Sequence, residues 1–372
     1  MTPSRPGRSV RGALAVAVAI VVAVGASGCT GKDEVVPPVT VAQQEAAPKR
    51  LVHVDKAARG RSDGTRARPF RTIQRALAEL GPGVGVVLHA GRYHEHLELR
   101  RGGTRSAPAV LRAASGQRVE LVGRLKIVAD NVSVSGLVFT GGDGEDENVL
   151  VYVSRAENVV LRGNEVRDAK LSGIFVGDAS ARVKIVSNWI HDNGTDPGLD
   201  HGIYVERNTG GTISDNVIDE NVGYGIQLYP DADGMVVTHN TIVGNGRSGI
   251  VLGGESTTSD TNVVANNVVA FNAEQGIRTF WGASTGIDNR VVSNLVFGNP
   301  QGNLSLRGVE EVNMVEEDPR FVAIDRGDYR LSEDSPAVDE AAPEYQTPRD
   351  FAGMPRPQNE ASDIGAYERP VG

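Results

Sequence analysis

From about Val134 to Leu306 one short pattern returns every roughly 24 to 28 residues, the spacing of solenoid coils, and this repeat constrains the fold more than any other feature. Five blocks fix its register. An Asn follows a β-branched run at Asn188, Asn216, Asn240, Asn267 and Asn294, and another stands five residues on, at Asn193, Asn221, Asn245, Asn272 and Asn299. A Gly-Ile step opens the next run at Gly202-Ile203, Gly225-Ile226, Gly249-Ile250 and Gly276-Ile277, with Gly173-Ile174 one turn earlier. Runs such as Val183-Lys184-Ile185-Val186 are too short and too β-branched for helical repeats. Each coil is therefore expected to be several short strands joined by tight bends. Stacking the coils about 4.8 Å apart pairs every strand with its neighbours above and below. The expected fold is all-β, a single-domain parallel β-helix whose repeats occupy residues 126–310. Asn at a bend tolerates left-handed backbone angles, and identical stacked amides bond along the axis as a ladder. Gly is expected where no Cβ fits.

An open stack exposes unpaired backbone and core at each end, so both ends need covers. Residues 51–125 are expected to form the first cover and the first coils. Within them Thr72–Leu80 places Ile73, Ala76, Leu77 and Leu80 on one helical face and stops at Gly81-Pro82-Gly83, an amphipathic capping helix. Residues 311–372 are expected to close the other end. Upstream, Arg5, Arg8 and Arg11 precede an apolar run from Ala13 to Val24, which is too short to span a bilayer and reads as a signal peptide over residues 1–28. Residues 29–50, with Pro37-Pro38 and Gln43-Gln44, are too polar for a core and are expected to act as a tether. Cys29 is the only Cys, so no internal disulfide and no thiol nucleophile are available. A net charge of −9 without a basic aromatic stripe argues against a nucleic-acid partner.

Three stretches resemble known families. Ala26-Ser27-Gly28-Cys29 resembles a lipobox, although Leu is usual where Ala26 stands; the resemblance implies lipidation of Cys29 and an extracytoplasmic, membrane-anchored protein. His53-Val54-Asp55, Ser62-Asp63-Gly64-Thr65, Pro69–Gln74 and Gly91-Arg92-Tyr93 resemble the opening module of bacterial right-handed parallel β-helix proteins of the pectate lyase-like superfamily. Ser335–Asp339 and Asp363–Glu368 resemble their closing motifs. That resemblance covers nearly the whole chain from Leu51 and implies a right-handed helix and a monomer. The superfamily holds pectate and alginate lyases, mannuronan epimerases, glycoside hydrolases and non-catalytic proteins, so fold alone does not fix a reaction.

Alternate strand residues face opposite sides, so with each step Ile inward the next residue faces out. This gives an outward stripe of Phe175, Tyr204, Gln227, Val251 and Arg278, with Glu206, Tyr229 and Phe280 two residues on. Asp200, His201 and Tyr224 precede the strands, and Asp231, Asp233 and Trp281 follow. Exposed rings in line with polar groups suit a polysaccharide; the plainer alternative is that they pack against loops. Removing the C5 proton of a uronic acid needs a base and a group that neutralises the carboxylate. His201 and Tyr204 are the candidate bases, with Asp200 orienting the imidazole, and a hydrogen-bonded turn histidine is the alternative for His201. Gln227, Tyr229, Tyr224, Arg278, Trp281 and Glu206 are the candidate substrate contacts. Arg278 stands three coils from Tyr204, roughly 14 Å, too far to act on the same atom. Lys170, Lys184 and Arg207 are further candidate neutralisers.

Tyr224-Gly225-Ile226-Gln227-Leu228-Tyr229 resembles the Tyr-Gly-x-Asp-Pro-His signature of mannuronan epimerases, but Gln227 replaces the Asp and Tyr229 the His. A glycoside hydrolase needs two suitably spaced carboxyls, which Asp192, Asp200, Glu206, Asp231 or Asp233 would supply. Ca²⁺ would find oxygen ligands at Asp231 and Asp233 or in the acidic loop 143–147. His53, His89, His94 and His96 belong to the opening module, and the alternation of His94 and His96 is too common to mark a zinc site. Three functions stay open: β-elimination of acidic polysaccharide, glycan binding without catalysis, and glycoside hydrolysis.

Overall fold

The computed structural model describes residues 47–141 and 149–370, so the signal segment, Cys29, most of the tether and the acidic loop 143–147 lie outside the described residues. Among the described residues the chain winds through three parallel sheets of eleven, nine and nine strands. One full coil shows the plan: Ser180–Val186 lies in the first sheet, Trp189–His191 in the second and Ile203–Val205 in the third, before Asn208–Ser214 re-enters the first. Each strand pairs in parallel with its counterparts one coil away, as in Ile174↔Ile203↔Ile226↔Ile250↔Ile277. Those five Ile side chains stack inside and are buried, each contributing roughly 1.5–3 kcal/mol by leaving water.

Both Asn sets form ladders. Asn188 Nδ2 donates to Asn216 Oδ1 at 3.0 Å, Asn216 to Asn240 at 2.8 Å and Asn240 to Asn267 at 2.8 Å. The second set runs Asn193, Asn221, Asn245, Asn272 at 2.9 Å per step. Each amide also bonds the backbone, as Asn188 does to the Leu161 carbonyl at 3.0 Å, so these buried polar groups are satisfied. The expectation that the ladder Asn adopts the left-handed angle is corrected. The residue before it does: Ser187, Asp215, His239, Asn266 and Ser293 have φ of 53°, 56°, 53°, 56° and 48°. The chain reverses at that residue so that the Asn side chain can point inward along the axis. The step glycines fill crowded positions as expected. A Cβ on Gly202 would lie 2.9 Å from the Asn221 amide nitrogen, and one on Gly249 2.3 Å from Val269.

At the start, strand Arg50–Val54 opens the first sheet and helix Ile73–Leu77 lies against the first coils. The helix is shorter than the Thr72–Leu80 pattern. Its end tightens into i→i+3 bonds, Glu79 N–H to Ala76 and Leu80 N–H to Leu77, before the Gly-Pro-Gly stop. The apolar face is as expected, with Ile73, Ala76, Leu77 and Leu80 all buried. Thr72 caps it, and the Glu95 carboxylate accepts the Ile73 and Gln74 N–H groups at 2.8 Å each.

The closing segment packs on the side of the stack. It folds back along the outer face of the second sheet, where Tyr329, Phe351, Ala366 and Tyr367 pack on Val217 and Val243, and Leu331, Ala337 and Ile364 pack on Val268 and Leu295. A buried ionic clasp fixes it. Arg356 donates to Glu368 at 2.8 Å and to the carbonyls of Asp363 and Gly365 at 2.9 and 2.7 Å, with Asp215 of the coils 3.7 Å away. Burial pushes the Asp215 carboxyl up to about 7 against the pull of Arg356.

Candidate glycan-binding face

The third sheet carries the outward stripe that the alternation rule places there, in register Tyr152↔Phe175↔Tyr204↔Gln227↔Val251↔Arg278. Three consecutive rings form a column, with centroids 5.0 Å apart for Tyr152–Phe175 and 5.1 Å for Phe175–Tyr204. Two residues on, Tyr229 and Phe280 stand 6.1 Å apart. They flank Gly253, where a Cβ would lie 2.8 Å from the Tyr229 ring. Cations sit at both ends of the stripe: Lys126 Nζ is 5.0 Å from the Tyr152 ring, and the Arg278 guanidinium is 5.6 Å from the Phe280 ring. Phe280 is 45% exposed and the other rings of the stripe are half-buried, so the face is open to a ligand.

Polar groups edge the column. The Tyr152 hydroxyl and the Ser154 hydroxyl, at 2.8 Å for the latter, donate to Asp178, and these bonds hold its carboxyl below the usual range. The Tyr204 hydroxyl donates to Glu206 at 3.4 Å, and Arg207 pairs with Glu206 and lies 3.7 Å from Asp178. Burial, then the charge of Glu206, pushes the Tyr204 phenol up, so in the free protein this hydroxyl is a proton donor rather than a base. Burial and Glu255 push Tyr229 up to about 12.

His201 does adjoin Tyr204, edge to face at 5.5 Å, but it is only 1% exposed. Its Nδ1 accepts the Tyr224 N–H at 3.3 Å and its ring meets Tyr224 at 4.9 Å. Burial, with Arg247 adding, pushes its pKa down to about 4, while hydrogen bonds to the Asp200 backbone and the Gln227 side chain work the other way. The geometry is that of a neutral histidine built into a turn. Asp200 does not orient it with its carboxylate. Oδ2 accepts the Thr195 and Asp196 N–H groups at 2.8 and 2.6 Å, closing the turn Thr195–Asp200 instead. Tyr224 is likewise withdrawn from the surface, 7% exposed against His201 and 4.6 Å from the Arg247 guanidinium.

The remaining expected contacts are spread along the face. Gln227 lies beside Tyr204, one coil on. Arg278 is engaged by Gln275 at 3.4 Å and Glu274 at 3.7 Å, and the Trp281 indole donates to the Arg307 carbonyl at 2.8 Å. Asp231 and Asp233 lie at the turn into the first sheet, where Asp233 accepts the Asp260 N–H at 2.8 Å. Among the described residues no three His, Cys, Asp or Glu side chains converge as metal ligands, so this pair supplies two carboxylates at most to a cation. Sequence reasoning missed Tyr152, Lys126 and Asp178. The coil of Tyr152 begins Leu150-Val151 rather than Gly-Ile, so a stripe counted from the Gly-Ile step starts one coil late; the alternation Val151-Tyr152-Val153 was the available signal.

Pectate lyase Pel9A superposes on 87% of this chain and 97% of its own with a TM-score of 0.65 and 15% identity. The chain shares the right-handed parallel β-helix fold of this lyase. The A-modules of the Azotobacter vinelandii mannuronan C-5 epimerases AlgE6 and AlgE4 share this β-helix at TM-scores of 0.53 and 0.52, with 18% and 19% identity over 66% and 71% of this chain and 70% and 76% of theirs. Residues 127–310 match the family described as "Periplasmic copper-binding protein (NosD)". The Bacillus subtilis (strain 168) protein YwoF, described as uncharacterized, is 27% identical over 216 residues, 54% of this chain. The chain spans 43% of the length of that relative. Among the described residues of 127–310 no three His, Cys, Asp or Glu side chains converge, and His191, His201 and His239 are at most 3% exposed.

Proposed function

We propose that this β-helix binds a polysaccharide along the outer face of its third sheet, outside the cytoplasm, and that it does so without β-elimination at His201. The carrying observation is the in-register column Tyr152–Phe175–Tyr204 with a cation beyond each end of the stripe. Rings stack on the apolar faces of sugars, and the carboxylates and hydroxyls beside them bond sugar hydroxyls. Lys126 and Arg278 suit acidic sugars at the two ends. The names of the structural neighbours, a pectate lyase and mannuronan epimerases, support a polysaccharide as the ligand class, and the word periplasmic in the matched family's description supports the location. Cys29 would carry the lipid that holds the body at the membrane.

Binding is favoured over elimination because neither expected base is poised for it. His201 is buried with its Nδ1 occupied and its basicity lowered, and the Tyr204 phenol is pushed away from ionisation. The test incubates the protein with pectate, alginate and a neutral glycan, following affinity and the absorbance of unsaturated uronates together. Retained binding with a flat absorbance is the expected result. An absorbance that grows and is abolished by Tyr204→Phe would overturn the proposal in favour of the lyase.

A further inference from the structure

The outer face of the first sheet is treated differently at its two ends. The row Lys184↔Thr212↔Val236↔Val263↔Arg290 runs in register along it. In the later coils the chain covers this row itself. Arg290 pairs with Glu310 at 2.7 Å and donates to the Tyr345 hydroxyl at 2.8 Å, and Thr238 donates to the Tyr345 carbonyl at 3.0 Å. In the earlier coils no described residue of the closing segment does. There a groove of about 490 Å³ lies between the Thr104–Pro108 turn and Lys184, with Ser133, Val160 and Thr212 along its floor and Pro108 at its edge. It crosses the strands from Val132–Ser135 to Asn208–Ser214, three coil steps or roughly 14 Å.

Its charge is one-sided. Arg105, Arg182 and Lys184 line it and no carboxylate does, on a chain whose net charge is −9. Arg182 is the tethered member: its Nε donates to Asn158 Oδ1 at 3.0 Å, Asn158 donates in turn to Asn131 at 3.2 Å, and Glu157 outside the groove pairs with it. Arg105 and Lys184 are exposed and make no ion pair with any described residue, in contrast to Arg290 in the covered half. Uncommitted cations over a floor that mixes apolar and hydroxyl groups complement a chain that alternates apolar ring faces with hydroxyls and carboxylates.

We infer that this groove is a second polysaccharide site, selective for carboxylate-bearing glycans, on a different sheet from the aromatic column. The inference rests on the polysaccharide reading above, and the two are separable by experiment. The full-length protein is run through gels containing sodium polygalacturonate or a neutral xylan, at low and high salt. The double variant Arg105→Gln/Lys184→Gln is expected to weaken polygalacturonate binding about tenfold, to flatten its salt dependence and to leave xylan binding unchanged. Lys184→Arg should retain wild-type affinity. Polygalacturonate binding undiminished in the double variant overturns the groove while leaving the column in place. A column variant, Tyr204→Ala, that weakens both glycans while the double variant weakens only the acidic one supports two sites. Failure of the wild type to bind any glycan overturns both readings. Phosphatidylglycerol vesicles that displace polygalacturonate from the wild type but do not bind the double variant would reassign the groove to a lipid surface.

Discussion

The second and third sheets are built from the same short strands in the same coils, and both carry aromatic side chains on their outer faces. On the second, Trp189 lies among Tyr329, Phe351 and Tyr367 of the closing segment, and its indole donates to Asp219, which also accepts the Tyr329 hydroxyl. On the third, Tyr152, Phe175, Tyr204, Tyr229 and Phe280 meet no such cover among the described residues. The difference teaches that an outward aromatic on a β-helix strand is not in itself a binding residue. What distinguishes the two faces is whether a distant part of the chain returns to bury them, and the return is paid for by an ionic clasp that the open face lacks. The charges follow the same division: Arg356 is fully enclosed on the covered side, while Arg207 beside Tyr204 is 56% exposed.

The comparison breaks most readily at the clasp. Arg356→Ala leaves Glu368 buried without its partner and Asp215 without its nearest cation, and is expected to cost about 3–5 kcal/mol of stability, measured by urea unfolding. If the covered face is only structural, the variant should still bind glycan at temperatures where it remains folded. The next effect belongs to the open face. Tyr204→Ala should weaken glycan binding by about tenfold, about 1.4 kcal/mol, while moving stability by less than about 1 kcal/mol. A large drop in Tm with unchanged affinity would mean that the column is packing after all.

The smallest effects are pH slopes of opposite sign on the two sides. His201 folds neutral with a pKa pushed down to about 4, so the unfolded chain takes up the proton first as pH falls below the ordinary histidine value of about 6.5. The Tm of the wild type should therefore fall relative to His201→Gln between pH 7 and pH 4.5. Asp215 folds with a pKa pushed up to about 7, so the folded chain holds its proton where the unfolded chain has lost it. The wild type should gain relative to Asp215→Asn as pH falls from 8 to 5. Equal slopes in thermal scans at matched ionic strength would remove this distinction between the buried groups.

Much of the fold was legible because its information is local and repeated. The Asn pairs and Gly-Ile steps recur once per coil, and each coil repeats the same contacts with its neighbour, so register follows from counting. The inward and outward sides of Ile203-Tyr204 or Ile226-Gln227 followed from strand alternation in the same way. Reading the site was harder. Tyr152 was lost because its coil lacks the Gly that marks the others. His201 and Asp200, adjacent to an outward residue and chemically apt, were found turned into the body of the coil, because the Thr195–Asp200 turn needed the carboxylate and the Tyr224 N–H needed the imidazole. Turn residues between strands follow no period, so alternation does not say which way they face.

The sequence by itself determined that this protein is a stack of coils of several short strands with repeated Asn ladders, a capped start and an outward stripe beginning at Phe175. Only the tertiary structure decided which outer faces stay open. That choice rests on contacts between residues more than a hundred positions apart, such as Tyr329 with Asp219 and Thr347 with Asp215. Contacts of that span leave no periodic trace in the chain.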